Sequence, residues 1–219
     1  MTLTRRPERK KSYAKTEAIL DGAMQEFLAN GFAATSMDRV AATAGVSKAT
    51  VYSHFQDKMG LFTALVYRLA EEKFSAVFDP RDPDCLAGEP RQVLRRVAND
   101  MFDQVHRNPQ TCEFMRVIVG ESGRFPELAT PYIEHVAKPI FEALTRYLTA
   151  RTELQLADPE ATARTFIGTL VYHIIVQRVL HGEALMPMER DRIVENLLNL
   201  IVPADKSEVS EVSDVSGAT

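Results

Sequence analysis

The 219-residue sequence contains no tryptophan and only two cysteines, Cys85 and Cys112. Their spacing fits no metal or redox pattern, so we expect a reduced, cytoplasmic setting. No run of about 18 apolar residues occurs, and no membrane span is expected. The first 15 residues also lack the apolar segment of a secretory signal.

Motifs typical of enzymes are also missing. The histidines show no HExxH or comparable metal spacing, no glycine-rich phosphate loop follows a strand, and no nucleophile elbow occurs. The five histidines are His54, His106, His135, His173 and His181. We therefore expect a protein that is not an enzyme and that uses no cofactor and no metal.

Charge is distributed unevenly along this acidic chain, whose formal net charge is −4. Residues 1–58 hold nine Lys/Arg and six Asp/Glu, a net charge of +3, and the remainder carries −7. Overall acidity argues against nucleic-acid binding, but the basic N-terminal end favours it. We predict a basic, disordered arm over residues 1–11, which is either a solvated terminus or an arm that reaches the phosphate backbone or minor groove.

Apolar residues recur at helical spacing in almost every segment, which predicts an all-α fold. The first helix is predicted over Ser12–Asn30, with Gly31 in the left-handed conformation that ends it. Two short helices capped by Ser36 and Ser47 follow, then a fourth from about residue 58 to 78 capped by Asp57. Later helices are predicted over residues 90–107, 109–122, 126–151 (with Pro139 able to kink it), 158–182 and 188–202.

Composition divides the chain into segments. Residues 79–90 are rich in proline and acidic residues, which predicts a loop between two regions. The last 17 residues are acidic and serine-rich, which is typical of a disordered tail. We therefore predict a first helical domain over residues 12–58, a second helical domain over residues 59–202 and a disordered tail over residues 203–219.

The most informative segment is Thr35–Phe55, TSMDRVAATAGVSKATVYSHF. It contains two short amphipathic helices joined by a turn at Gly45. Two small helices crossed by a tight turn place a row of side chains in the DNA major groove in many proteins. The segment therefore predicts a helix-turn-helix.

Several positions in and around this segment match a known family: Gly31-Phe32, Thr35, Val40-Ala41, Ala44–Ser47, Tyr52, Phe55 and Lys58. With them, Ala18–Lys58 resembles the DNA-binding domain of TetR/AcrR-type transcriptional regulators. Phe114–Leu128 is similar to one C-terminal subgroup of that family. The sequence departs from a common form at Ala49, where many members have glycine, and at Val51, which is often leucine.

The resemblance implies a nine-helix fold, with an N-terminal three-helix DNA-binding domain and a C-terminal helical domain for ligand binding and dimerisation. It also implies a homodimer that binds a palindromic operator of double-stranded DNA. Repression is the family's commoner mode, and activation stays open. The effector is expected to be a small hydrophobic or aromatic molecule, and control by a protein partner without an effector is the alternative.

The DNA contacts are predicted mainly from the second short helix. Lys48 and Thr50 suit base edges or phosphates, and Ala49 is small enough for close approach of the backbone. Tyr52 and His54 suit phosphates, although Tyr52 could pack inward instead. Further phosphate candidates lie at helix N-termini, where Ser36 and Ser47 could act as caps alone; they are Thr35, Ser36, Ser47 and Lys58.

Two faces of the C-terminal region are candidates for dimer formation. One is a stripe of small or mixed residues, Ala161, Thr165, Gly168, Thr169 and Tyr172. The other is apolar surface on the last helix, predicted at Leu197, Leu198, Leu200 and Ile201. An intramolecular contact between helices is the alternative.

A ligand pocket is predicted from polar residues inside apolar helical runs and from apolar residues near them. For each of them a core position is the alternative. The candidates are Met101, Phe102, Phe114, Arg116, Val117, Glu121, Tyr132, His135, Phe166, Leu170, His173 and Gln177.

Overall fold

The computed structural model describes residues 5–71 and 87–202, with side chains described from Ser12 onward. Within these ranges the chain is helical and contains no strand, which confirms the all-α prediction. None of the helices described is long and apolar enough to cross a membrane. Residues 1–4, the predicted end of the fourth helix near residue 78, most of the predicted loop and the predicted tail lie outside the described residues.

Four helices form the N-terminal part: α1 (Arg5–Ala34), α2 (Met37–Thr43), α3 (Lys48–His54) and α4 (Lys58–Leu69). The first begins at Arg5, so residues 5–11 are helical where we predicted a disordered arm. Pro7 is compatible with this early start because proline fits the first turn of a helix. Gly31 has φ 73° and interrupts the helical backbone near the predicted end.

The predicted caps of the short helices are present. The Ser36 side chain accepts a hydrogen bond from Arg39 N at 3.3 Å. The Asp57 side chain accepts one from Gly60 N at 2.7 Å at the start of α4. Such caps satisfy N–H groups that have no partner inside the helix, and each is typically worth about 1 kcal/mol.

The C-terminal part contains α5 (Pro90–Arg107), α6 (Pro109–Ser122), α7 (Ala129–Tyr132), α8 (Lys138–Ala150), α9 (Pro159–Ile174) and α10 (Arg190–Ile201). A π turn over Ile133–Ala137 joins α7 to α8, so the two form one continuous helix. Counted in this way, the described ranges hold nine helices, as the resemblance implies. The π turn directly precedes the Lys138-Pro139 pair, where we predicted a kink and where proline cannot donate a helical hydrogen bond.

Two boundaries differ from the prediction. The helix predicted over residues 158–182 ends earlier, because α9 passes into a π turn at Ile175–Val179 and His181 then takes a left-handed conformation with φ 55°. The last helix begins at Arg190 rather than at residue 188.

Buried apolar side chains form two clusters. The second lies within the C-terminal part, between α5, α8, α9 and α10. The first combines α1–α4 with Phe114 and Ile118 of α6 and with Leu128 and Val136 beyond it. The predicted domain boundary at residue 58 is therefore not a gap in packing, since α4 belongs to the same cluster as α1 and α6.

An array of aromatic rings occupies the centre of the first cluster. The Phe62 ring lies edge-on to Phe27 and Phe32, with 5.5 Å between centroids in both pairs. It also stacks on Phe114 of α6 at 4.9 Å. Aromatic pairs in such geometries contribute beyond the area they bury.

We expect Phe62→Ala to destabilise the chain by about 3–5 kcal/mol, because it removes a fully buried ring and leaves a cavity between α1 and α6. The measurement is chemical denaturation at fixed protein concentration. The control is Tyr13→Ala, which truncates a tyrosine that is 68% exposed and should change stability by less than about 0.5 kcal/mol. Equal effects of the two variants would contradict the shared core.

Candidate DNA-binding surface and ligand groove

The turn between α2 and α3 is fixed by the backbone. Gly45 has φ 64°, a conformation that glycine adopts without steric cost. Val46 N then donates to Ala41 O at 3.0 Å. Ser47 caps α3 by accepting from Thr50 N at 3.1 Å, so α3 leaves the turn in a fixed direction.

Helix α1 packs against α2 and the turn that follows it. A Cβ on Gly22 would lie 2.9 Å from Ala44 N, so only glycine allows the backbones to approach this closely. The Glu26 carboxylate accepts hydrogen bonds from Thr43 Oγ1 at 2.7 Å and Asn30 Nδ2 at 3.0 Å, and pairs with Arg39 Nε at 3.0 Å. The contacts of Glu26 with Thr43 and Arg39 hold α2 on α1.

Helix α3 buries Val51 and exposes the opposite face. Lys48, Ala49 and Tyr52 are exposed, and Tyr52 retains 53% of its accessible surface. Lys48 Nζ pairs with Asp38 of α2, and Thr50 Oγ1 shares a hydrogen bond with Ser47 Oγ at 2.8 Å. Of the predicted α3 residues, Lys48, Ala49 and Tyr52 therefore share the exposed face, whereas Thr50 and His54 are half-buried.

Ser53 and Gln56 are also exposed here, and we did not predict them. Ser53 Oγ donates to Thr50 O at 2.7 Å. Their position was available from the helical spacing, but neither residue stands out among the other polar residues of the segment.

Thr35 and His54, which were predicted to contact phosphates, make hydrogen bonds to α1. Thr35 is 2% exposed, and its hydroxyl donates to Gly31 O at 2.8 Å and Glu26 O at 3.0 Å. This corrects the prediction for the Thr35 side chain, which is buried and already bonded. His54 Nδ1 shares a 3.0 Å hydrogen bond with Thr16 Oγ1 of α1, which leaves one ring nitrogen for DNA.

Lys58 lies at the start of α4 and reaches the end of α1. Its ammonium donates to the carbonyl oxygens of Phe32, Ala33 and Thr35 at 2.6, 3.2 and 2.9 Å, and lies 4.4 Å from the centre of the Phe32 ring. Burial lowers the pKa of Lys58, and the nearby Glu121 carboxylate opposes that shift. A phosphate contact by Lys58 stays a prediction, and it would compete with these three bonds.

Glu121, a predicted ligand residue, lies at the same junction. Its Oε1 accepts a hydrogen bond from Ala33 N at 3.4 Å and would be 2.5 Å from a Cβ at position 31. The positive φ is what favours glycine at position 31, because the Glu121 carboxylate is the end of a flexible side chain that can move aside.

Most other predicted ligand residues belong to the core. Phe114 lies in the first cluster, and Phe166 and Leu170 lie in the second. Met101, Val117 and Tyr132 pack against these clusters, and burial raises the pKa of Tyr132. The core alternative therefore applies to these six, because their helical faces meet other helices of the same chain.

The remaining candidates are dispersed. The His135 ring packs on Tyr67, with centroids 4.0 Å apart. Arg116 holds the end of the π turn after α9, since its guanidinium donates to Val179 O at 2.9 Å and Arg178 O at 3.0 Å. Three candidates, Phe102, His173 and Gln177, do come together in one groove.

That groove has a volume of about 610 Å³ and lies between α5, the end of α9 and the start of α10. Its apolar lining includes Phe102, Val105, Ile174, Pro187 and Met188. The His173 ring meets the Phe102 ring edge-on at 5.0 Å, and burial lowers the pKa of His173. The volume lies within the range of about 300–1,000 Å³ that is common for small-molecule sites.

The groove also contains charged residues that we did not predict: Arg178, Arg190, Arg192, Glu183 and Glu189. Arg178 donates to His106 Nδ1 at 2.6 Å, and Arg190 donates to Asp103 at 2.7 Å. These residues come from the π turn after α9, from the connection that follows it and from the first turn of α10. The periodicity of apolar residues gives no signal for such charged positions. No group of three or more possible metal ligands occurs among the residues described.

The predicted dimer faces are only partly free. Ala161, Thr165, Gly168 and Tyr172 are exposed along α9. Leu200 of α10 is 73% exposed. The prediction was wrong for the other three residues of the last helix, which are buried in the second cluster of their own chain; they are Leu197, Leu198 and Ile201.

Comparison with known proteins agrees with this arrangement. Residues 19–65 match the model for bacterial regulatory proteins of the tetR family. Residues 92–204 match the model for the C-terminal domain of AefR-like transcriptional repressors. The first match covers the helix-turn-helix, and the second covers slightly more than half of the chain.

Individual relatives match over most of their length. YhgD, an HTH-type transcriptional regulator of Bacillus subtilis, is 33% identical over 198 residues, which cover 87% of this chain and 96% of YhgD. BepR, an HTH-type transcriptional repressor of Brucella suis, is 27% identical over 76% of this chain and 81% of BepR. The solved structure of the flavonoid-responsive regulator FrrA is 28% identical with a TM-score of 0.65, over 87% of this chain and 98% of FrrA.

The geometry at Lys58 predicts a structural effect of its removal. We expect Lys58→Met to lower stability by about 1–3 kcal/mol, because three carbonyl groups lose a charged donor. Chemical denaturation measures this, with Lys138→Met as the control, since exposed Lys138 lies 3.9 Å from its ion partner Glu142.

A phosphate contact gives a different signature. Loss of one contact reduces the slope of log affinity against log salt concentration by about one. We expect no such reduction for Lys58→Met. Unchanged stability together with a smaller salt slope would overturn the structural role.

Proposed function

The chain belongs to the TetR family of bacterial transcriptional regulators, and on that premise we propose that it is a repressor. It binds a palindromic operator as a homodimer and is released by a small hydrophobic or aromatic effector. The observation that carries the proposal is the exposed row of Lys48, Ala49 and Tyr52 on α3, held on α1 by capped and hydrogen-bonded neighbours.

The chemistry at α3 is recognition by charge and hydrogen bonding. Lys48 contacts a guanine edge or a phosphate once its ion pair with Asp38 is broken. Tyr52 contacts a phosphate. Ala49 lets the helix approach the groove closely. Ser36 and Ser47 act first as caps, and the N–H groups they leave free face the phosphates.

One copy of this element reads only a few bases, so a second copy is needed for specificity. A dimer presents two recognition helices about 34–36 Å apart, one turn of DNA. The exposed residues Thr165, Gly168 and Tyr172 of α9 and Leu200 of α10 form the paired surface.

The groove favours control by a small molecule over control by a protein partner, because a fully packed C-terminal domain would leave no room for an effector. Binding releases the operator if the effector prefers a dimer in which the recognition helices have a different spacing. Repression agrees with the repressor BepR and with the repressor model that matches residues 92–204.

The operator-binding test uses Lys48→Ala and Tyr52→Ala. We expect each to weaken operator binding by about tenfold, as expected for loss of a contact worth about 1–3 kcal/mol. The operator is first obtained by selection from a random DNA pool, and affinity is measured by gel shift. Lys138→Ala, an exposed lysine on α8, is the matched control.

Light scattering and thermal unfolding establish that each variant stays dimeric and folded. Unchanged affinity for both α3 variants would rule out docking through α3.

The dimer test uses Leu200→Glu, which places a charge on the proposed paired surface. We expect monomers at concentrations where the parent chain is a dimer, as measured by light scattering. Val119→Glu is the control, since Val119 is 66% exposed on α6, away from that surface. A dimer that survives Leu200→Glu would argue against this surface.

A further inference from the structure

We propose that the groove binds an apolar organic anion, whose carboxylate lies near Arg192 and the start of α10 and whose apolar body lies against Phe102 and Met188. This inference rests on the proposed function and narrows its effector from any small hydrophobic molecule to one with a negatively charged end.

The groove is larger than a single depression. The cleft of about 610 Å³ adjoins one of about 500 Å³ towards α6 and one of about 280 Å³ along the outer face of α9. All three share Gln177, which is 9% exposed. The three clefts are therefore neighbours, with an apolar lining towards Phe102 and Met188 and a charged lining towards Arg192, which suits a molecule with two chemically different ends.

One wall is apolar. Phe102 and Ile174 contribute from α5 and α9, and Pro187 and Met188 contribute from the connection before α10. Methionine adapts its shape to irregular partners, so this wall accepts chains or rings. Burial of an apolar body here would supply most of the affinity.

Polar groups in the middle of the groove are available to a ligand. The His173 ring, which lines two of the clefts, makes no hydrogen bond within the part of the chain described. Gln177 Nε2 donates to Met186 O at 2.6 Å, and its Oε1 makes no hydrogen bond to any described residue. A neutral imidazole can donate one hydrogen bond to a ligand oxygen.

The positive end is formed by α10. Glu189 precedes this helix, but its side chain does not cap it, so the first N–H groups and the positive end of the helix dipole remain available. Arg192, in the first turn, has no ion pair or hydrogen bond to a described residue and lines the groove. The other groove arginines are engaged, Arg178 with His106 and Arg190 with Asp103.

Among the arginines of the groove, Arg192 makes no ion pair or hydrogen bond to a described residue. The two larger clefts are lined by four arginines and three glutamates, which are Arg116, Arg178, Arg190, Arg192, Glu113, Glu183 and Glu189. Carboxylates balance two of these arginines, because Arg190 pairs with Asp103 at 2.7 Å and Arg178 lies 3.8 Å from Glu183. The unpaired guanidinium of Arg192 and the N-terminus of α10 together favour an anion over an amine.

The test uses three probes of equal chain length, decanoate, decanol and decylamine, titrated into the full chain by calorimetry below their aggregation concentrations. We expect decanoate to bind about tenfold more tightly than decanol, as a charge-assisted contact provides. Decylamine should bind most weakly.

The variant Arg192→Gln should remove this preference, so that decanoate and decanol bind alike while decanol keeps its affinity. The matched control is Arg146→Gln, which changes an exposed arginine of α8 that does not line the groove. Arg192 is exposed and makes no described contact, and thermal unfolding verifies that both variants fold.

The position of bound decanoate is determined from the methyl NMR signal of Met188, which is assigned by its absence in Met188→Leu. That signal should shift with decanoate, while the signal of Met59, which packs on the first cluster, should not. A Met188 signal that does not respond to bound decanoate would overturn the site.

The outcomes distinguish the inference of an anionic ligand from the more general proposal of an apolar effector. Equal affinity for decanoate and decanol, or tighter binding of decylamine, would overturn the anion inference and leave an apolar effector in place. Failure of both decanoate and decanol to bind would contradict the effector in the proposed function as well.

Discussion

The orientation of the recognition helix depends on one apolar cluster that α1, α4 and α6 share. Phe62 of α4 contacts rings from α1 on one side and Phe114 of α6 on the other. Helices α2 and α3 rest on α1 through Val40 and Val51, which are fully buried in the same cluster. Close-packed interiors transmit strain, and the residues beneath α3 belong to the same close-packed cluster as those of α6.

A polar junction accompanies this core where α1 ends. Gly31 breaks the helix, so the carbonyl groups of its last turns need partners from elsewhere. Lys58 of α4 supplies three hydrogen bonds to carbonyl oxygens in this region, and Glu121 of α6 accepts one from Ala33 N. Packing and hydrogen bonding thus join the same three helices.

Sequence patterns predicted the features that depend on near neighbours. The caps at Ser36, Ser47 and Asp57 act three residues away, and the break at Gly31 needs only a local backbone conformation. Periodicity also located the apolar faces. It could not say what covers them, so the buried faces of α6 and α10 were assigned in part to a ligand or to a second copy.

The contacts that the sequence patterns did not predict join residues that are far apart in the chain. Lys58 bonds to residues 23–26 positions earlier, and Glu121 to one 88 positions earlier. The groove likewise combines Phe102 with Met188 and Arg192. Such contacts depend on how the helices pack, and they leave no periodic signal in the sequence.

Two residues in the second half of helix α6 form hydrogen bonds to distant parts of the chain. Arg116 is bonded to the carbonyl groups that close the α9 π turn, beside the groove, and Glu121 is bonded to the end of α1. These residues are separated by about 7.5 Å along the axis, at 1.5 Å per residue. Helix α6 therefore connects the carbonyl groups of residues 178–179, beside the groove, with the end of α1, against which the recognition element packs.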